Sequence, residues 1–498
     1  MNSVQRLHHL FPLAFCLAFV AYSAVFVLGQ YQTDNGDFDQ YAIHARNLIL
    51  MRPWSFIVAG FPGVLPGYPT VLAAIFWLFG LNLHVVGVVN AIAWAAYAYA
   101  FFLIYRTKFD FKSTSYIYIL VLLTSYSVIS FQQEGLPNIV FAASCALALL
   151  MSERMQKVGL RPLGVLIFLL PTAIRLECVA LYAAVAAYSF YARQIKLAAL
   201  AVLGIIIALG LDYFVSNYSG MVSNVEIARY FATTSGGASG GIGEIISSFA
   251  YMIVRYIFGA EIWLLPPTIR SSELFSIQFT PRLNSIITTT SLIFVSLVVF
   301  GASRRPIWRV DKLYLCAHLI AISCLILPEA PQRYSLPIIG VTVFYAARAI
   351  EIIISRLVVI GRYRALCVVA IIGSSVLVPN IMLLYAASGA PRSSNYHFSS
   401  NTLDVADMLS EEYCSAPVAY YKTRIIMLLM DVRHCTPSVL NLRSPKDADA
   451  ALSRDASLVV RKGYSQYGQI QVEEYLSGHS GVKIIWEDKV HIVYRRAQ

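Results

Sequence analysis

The chain has 498 residues, of which 58% are hydrophobic and only 13% charged, with a mean hydropathy of +0.64. A soluble domain carries about a quarter charged residues, so the composition excludes an ordinary soluble enzyme and fits a polytopic membrane protein. The net charge of +11 gathers in short loops between apolar runs, which speaks for cytoplasmic loops and against a nucleic-acid partner.

The N-terminal MNSVQRLHH precedes the apolar run Leu10 to Leu28, which lacks a small-residue cleavage site. It predicts a retained first span with its N-terminus in the cytoplasm. The first outer loop, 31–83, opens with Asp34, Asp37 and Asp39. Tyr41, Ala45, Leu48 and Ile49 follow at helical spacing, with His44 and Arg46 on other faces. An Asp-x-Asp at this place serves equally as a helix cap. Beyond Pro62-Gly63, the run from Pro66 to Gly80 is apolar but only about fifteen residues long, which suits an interfacial helix better than a crossing.

The parity of basic loops supports that choice. The run His84 to Tyr105 ends at Arg106 and Lys108, Thr114 to Phe131 ends at Glu134, and Pro137 to Met151 ends at Arg154, Lys157 and Arg161. If the Pro66–Gly80 helix stays outside, both basic loops fall in the cytoplasm. Pro162 to Ile174 then ascends to Arg175-Leu176-Glu177, and Leu176 to Tyr191 descends to Arg193 and Lys196. Leu197 to Val215 ascends into a second outer loop, 216–285, which holds SGGASGGIG and a surface or re-entrant segment from Glu244 to Pro267. Ile286 to Gly301 descends to Arg304-Arg305, Leu313 to Leu327 ascends to PEAPQRY, Tyr334 to Ile354 descends to Arg356, and Ala365 to Ala387 ascends last. The sum is about eleven transmembrane helices in a module spanning 1–387.

From Ser388 to Gln498 the pattern changes. TLDVADMLSEEY reads as a capped helix, while PVAYY, SLVVRKGY and VKIIWEDKVHIVYRR read as strands, the last a hairpin at Glu487-Asp488. Segment 388–498 is therefore a small α/β domain, placed outside the cytoplasm by parity. Cys16, Cys145, Cys178, Cys316, Cys324 and Cys367 lie in apolar runs as expected buried thiols. Cys414 and Cys435 fall in the outer domain, where they form either a disulfide or two free buried thiols, an oxidising compartment favouring the disulfide.

Four charged clusters thus share the outer face: Asp34, Asp37 and Asp39; Glu134; Arg175 with Glu177; and Gln332-Arg333 beside Tyr334. Charges beside apolar runs are expensive and are either paired or functional, so an Arg175–Glu177 ion pair is one reading and a substrate site the other.

The stretch GDFDQYAIHARNLI resembles the first-loop motif of the GT-C-fold, polyprenyl-phosphate-dependent glycosyltransferases, the broad group of protein mannosyltransferases and lipid A aminoarabinose transferases. Asp37, Tyr41, Ala45 and the turn Pro66-Gly67-Tyr68-Pro69 occupy the motif's places. Glu134, Arg175-Leu176-Glu177, Arg333-Tyr334-Ser335-Leu336-Pro337 and VAYYKTRIIMLLMDVR are similar to further family segments. Some members carry an acidic-basic pair just before the Pro-rich turn; Val64 and Leu65 stand there instead.

The resemblance implies a GT-C fold in the inner membrane and transfer of a sugar from a polyprenyl-phosphate donor to an extracytoplasmic glycan, lipid or protein. Asp37 would be the general base and act with inversion. Asp34, Asp39, Tyr41, Glu134, Glu177 and Tyr334 would contact substrate, with Arg175 and Arg333 on the lipid phosphate, whose two oxygens suit a guanidinium fork. A divalent cation, Mg or Mn, at Asp37 and Asp39 is left open. The alternatives are a lipid-linked glycan polymerase or ligase, and a non-enzymatic transporter or flippase. The transporter predicts ionisable residues strung through mid-span, where few stand here.

The topology has a direct check. A cysteine introduced at Asn82 is expected to react with an impermeant reagent from the outer side; labelling only from the cytoplasm would reverse every loop downstream.

Overall fold

In the computed structural model of the chain, the described residues are 3–24, 38–51, 64–124, 135–219, 293–304, 309–325, 334–357, 361–372, 400–432, 435, 438–464 and 468–497. The chain divides into two units. One comprises Met1–Tyr31, Pro53–Val71 and Leu83–Pro391, and the other Gln32–Arg52, Leu72–Asn82 and Arg392–Gln498.

The apolar periodicity becomes helix throughout the first unit. Its elements are α1 (Ser3–Tyr22), then, after the α2 and α3 segments of the first loop (Phe38–Ile49 and Gly67–Phe79), α4 (Leu83–Tyr105), α5 (Lys112–Leu123) and α6 (Asn138–Val158). They continue as α7 (Pro162–Leu169), α8 (Cys178–Tyr191), α9 (Ile195–Ser219), α10 (Ile293–Ser303), α11 (Val310–Leu325), α12 (Ile339–Leu357) and α13 (Gly361–Ile372). Among the described residues four helices are long and apolar enough to cross a bilayer: His84–Tyr105, Asn138–Val158, Ile195–Asn217 and Leu336–Leu357. The others are shorter apolar helices, and several of the spans read from the sequence run into segments outside the described residues.

The core of this unit lies where α4 packs on α6, and it is tied by buried hydroxyls to backbone carbonyls. Trp94 Nε1 donates to Leu122 O at 2.8 Å, Tyr97 Oη to Leu336 O at 2.9 Å, and Tyr118 Oη to Gly340 O at 2.8 Å. A Cβ at Gly340 would collide with the Phe101 ring, so glycine is required for α12 to approach α4. At the opposite end of the bundle, the fully buried Glu351 accepts the N–H groups of Asp110 and Phe111, both at 3.1 Å, and pairs with Arg348 at 2.7 Å. Lys108 pairs with Glu153 at 2.6 Å. These bonds fold the basic loop back onto the helix ends, where its charges are satisfied without entering the apolar layer.

The second unit holds α2 and the expected outer domain. The domain runs α14 (Ser400–Glu412), β1 (Val418–Tyr420), α15 (Thr423–Val432), β2 (Val439–Asn441), α16 (Pro445–Leu452), β3 (Ser457–Arg461), α17 (Gln469–Ser477), β4 (Val482–Glu487) and β5 (His491–Arg496). The sheet order is β2-β1-β3-β5-β4, with β2, β1 and β3 parallel and β5 antiparallel to both neighbours. Strand alternation builds two cores. Tyr420, Val459 and Val493 face Leu409 of α14 and Ile425, Ile426 and Leu429 of α15, while Ala419, Leu458 and Val460 face α16 and α17. The hairpin at Glu487-Asp488 is present. The sequence pattern assigns neither strand β2 nor helices α15, α16 and α17, since segments of three to ten residues are too short for periodicity to separate helix from strand.

Cys414 and Cys435 form a disulfide with a Cα separation of 5.3 Å, tying the segments that follow α14 and α15. Of the thiols expected to be buried, Cys16, Cys145 and Cys178 are, but Cys316 is exposed and Cys367 half-buried. The apolar face of a membrane helix accepts a thiol on its lipid side as readily as inside. The side chain of Cys324 lies outside the described residues.

Helix α2 packs on α15 within this unit, and the packing corrects the face read from its sequence. Phe38, Ala42, Ile43 and Ala45 are buried, together with His44, whereas Leu48 is exposed and Tyr41 and Ile49 are only half-buried. A helix covered on more than one side does not show the single stripe that periodicity assumes.

Two histidines make this unit acid-labile. Burial pushes His44 down to about 4, and burial likewise pushes His491 down to about 4 although Asp488 favours its charged form. As the pH falls below the ordinary histidine value of 6.5, the unfolded chain takes up protons that the folded one refuses, so stability drops until about pH 4 and then levels. At about 1.4 kcal/mol per pKa unit the loss approaches 3 kcal/mol for each. Urea unfolding followed between pH 7 and 4 should show this slope, and His491→Gln should remove its own share.

Candidate functional site

The site in the membrane unit begins with a helix that is made to stop. Pro171 interrupts α7, and residues Leu170–Ala173 form a 3-10 turn whose Thr172 hydroxyl donates to Leu169 O at 2.7 Å. The backbone then passes through Arg175 and Glu177 before α8 starts. Single turns bond it, Cys178 N–H to Arg175 O at 3.3 Å and Val179 N–H to Leu176 O at 3.1 Å. This break lets two charged side chains stand side by side between apolar helices.

Arg175 and Glu177 form a forked pair. Nε of Arg175 donates to one carboxylate oxygen at 3.1 Å and Nη2 to the other at 2.6 Å, with both side chains largely shielded from solvent. The third guanidinium nitrogen, Nη1, donates to Oδ1 of Asn138, the first residue of α6. The flat face of the group lies 4.6 Å from the centre of the Tyr334 ring. Tyr334 is in turn placed by His318, whose Nε2 donates to the Tyr334 carbonyl at 2.8 Å. Three segments remote in sequence therefore meet at one guanidinium, with His318 behind the third.

The Pro-rich turn of the first loop supports the same cluster. Tyr68 Oη donates to the carbonyl of Gly135, three residues before Asn138. A Cβ on Gly67 would lie 2.7 Å from the carbonyl oxygen of Ala173, so only glycine lets α3 start against the turn that carries Arg175. Val64 and Leu65, in the positions of the family's acidic-basic pair, are buried apolar residues.

Of the residues expected at the site, the structure brings Arg175, Glu177 and Tyr334 together and adds Asn138 and His318, which the sequence reading did not single out. A histidine inside the apolar run Leu313–Leu327 was the available signal, because an ionisable group at that depth is functional or paired. Asp39 and Tyr41 lie on α2 in the other unit. Asp39 is buried in the first turn of α2, where Oδ1 accepts the Gln40 N–H at 2.7 Å, a helix-start role that also suits the positive end of the dipole. Asp34, Asp37, Glu134 and Arg333 fall outside the described residues. Among the described residues no three His, Cys, Asp or Glu side chains gather as a cation site, and Asp37, expected with Asp39 to hold any cation, lies outside them.

No family model and no curated protein sequence matches the chain. Its structure is similar to that of ArnT from Cupriavidus metallidurans bound to undecaprenyl phosphate, with a TM-score of 0.62 at 12% identity over 99% of this chain and 98% of that one. ArnT from the same organism in the apo state gives 0.57 at 12% identity over 97% and 98%. The oligosaccharyltransferase of Archaeoglobus fulgidus, in complex with zinc and sulfate, gives 0.52 at 12% identity over 89% and 68%. The chain therefore has the GT-C fold that its first-loop motif implied.

The forked pair has a measurable consequence. Glu177→Ala removes the carboxylate that takes two of the guanidinium's bonds and should cost about 3–5 kcal/mol. A large fall in the detergent-solubilised protein's melting temperature would show this, and an unchanged one would mean that Arg175 does not depend on Glu177.

Proposed function

We propose that this chain is an inner-membrane glycosyltransferase that moves a sugar from a polyprenyl-phosphate donor to an extracytoplasmic glycan, lipid or protein. The observation that carries the reading is the held guanidinium of Arg175, fixed by Glu177 and Asn138 and lying on Tyr334, in a fold shared with a transferase that binds undecaprenyl phosphate. A pre-positioned guanidinium suits the phosphate whose charge grows as the sugar leaves.

In this mechanism the acceptor hydroxyl gives its proton to the carboxylate of Asp37 and its oxygen bonds to the anomeric carbon. The carbon–oxygen bond to the phosphate breaks, and its electron pair leaves with the polyprenyl phosphate, whose charge Arg175 and Arg333 offset. One displacement inverts the anomeric carbon. Asp34, Tyr41 and Glu134 orient hydroxyls, and Asp39 anchors the start of α2 just after Asp37. About eleven spans, a cytoplasmic N-terminus and a periplasmic C-terminal domain complete the arrangement.

Turnover of a polyprenyl-phosphate sugar by the purified protein tests it. Asp37→Asn keeps the size and polarity of the side chain but cannot take the proton, and is expected to lose about 10²–10⁴ in rate with donor binding retained. Arg175→Ala should weaken donor binding as well. Near-normal turnover by Asp37→Asn would remove Asp37 as the base.

A further inference from the structure

Among the described residues, two buried polar atoms in the Arg175 cluster have no hydrogen-bond partner: Nδ2 of Asn138 and Nδ1 of His318. Asn138 is 3% exposed and His318 1% exposed, so water does not satisfy them from outside. A buried amide or imidazole nitrogen left unbonded costs about 1–3 kcal/mol, and native proteins leave few. Two within one cluster call for a ligand.

The orientation of both side chains follows from chemistry. The Asn138 amide must present its oxygen to Arg175, because a guanidinium only donates; turning the amide over would set donor against donor. Its NH₂ therefore stands beside the guanidinium as a second, neutral donor. His318 must carry its proton on Nε2, since a carbonyl only accepts. A neutral ring so fixed leaves Nδ1 with a lone pair and no proton. The cluster thus offers an additional N–H donor next to a cation and, at His318, an acceptor that an oxyanion would not satisfy but a hydroxyl would.

Resting on the donor reading above, we infer that Asn138 and His318 are binding residues of the donor site. Asn138 Nδ2 donates to an oxygen of the phosphate beside Arg175, and His318 Nδ1 accepts from a hydroxyl of the attached sugar. The complementary ligand is a glycosyl phosphate, which presents oxygens that accept and hydroxyls that donate on one headgroup. A bare prenyl phosphate would leave His318 unsatisfied. The polar pair would then separate loaded donor from spent carrier, and so favour product release after transfer.

The test compares binding of farnesyl phosphate with farnesyl phosphate glycosides of mannose, glucose and 4-amino-arabinose to the full-length protein in detergent. Asn138→Ala, and its near-isosteric companion Asn138→Asp, should weaken farnesyl phosphate and glycoside alike, on the order of tenfold or more. His318→Phe should weaken the bound glycoside by a similar factor and leave farnesyl phosphate unchanged, while His318→Gln, which keeps an acceptor, should recover part of the loss. Variants are compared only where gel filtration and melting match the native protein, and Asn138→Asp serves if Asn138→Ala does not fold. Equal loss for both probes in His318→Phe, or no loss in either substitution, overturns the inference alone. Failure of the native protein to bind any prenyl phosphate overturns the donor reading and this inference with it.

Discussion

The membrane unit is organised by the need to keep one cation in an apolar setting. An isolated guanidinium taken from water costs several kcal/mol even after relaxation, and Arg175 survives there because Glu177 takes two of its bonds, Asn138 a third and Tyr334 its face. Each partner needs its own backbone support. Pro171 must end α7 so that Arg175 and Glu177 share one short connection, and His318 must hold the carbonyl of Tyr334. Gly67 and Tyr68 bring the first-loop turn against the same connection and against Gly135. A change in any of these acts on the guanidinium through the others, which is why the cluster behaves as one device instead of a set of contacts.

The end of the bundle formed by the basic loops answers the same constraint differently. There Arg348 pairs with Asp110 and Glu351, Glu351 takes two backbone N–H groups, and Lys108 pairs with Glu153, so that each charge has a partner. That network fixes a loop. In the Arg175 cluster, by contrast, Asn138 Nδ2 and His318 Nδ1 are unsatisfied among the described residues, and that contrast is the physical ground for reading one network as structure and the other as a site.

The second unit shows why the first loop and the C-terminal domain, far apart in sequence, belong together. Helix α2 has small residues at Ala42 and Ala45 and buries them with Phe38 and Ile43 in a unit whose partner for it is α15. The α/β domain supplies α15 with its own core through Ile425, Ile426 and Leu429, and the Cys414–Cys435 disulfide ties the segment after α15 to that after α14. Helix α2 therefore packs on a domain in which a disulfide joins the segments after α14 and α15.

Much of this was legible in the residues themselves. Apolar runs of membrane length, the two-residue alternation of the strands, the hairpin at Glu487-Asp488 and the pairing of Cys414 with Cys435 are local or compositional signals, and they need no knowledge of what packs on what. The first-loop motif likewise pointed to the GT-C fold. Convergence was not legible: Asn138, Arg175, His318 and Tyr334 lie on four separate elements, and nothing in their spacing says that they meet. Nor could periodicity choose the buried face of α2, where Ala42 and His44 are covered and Leu48 is not, because that face is set by α15 and the rest of its unit. Sequence alone determined that the chain is a helical membrane protein with strands near its C-terminal end, since those follow from each residue's own preference for water or hydrocarbon. Only the tertiary structure decided which charges share a site, because a buried charge is placed by partners that the chain order does not reveal.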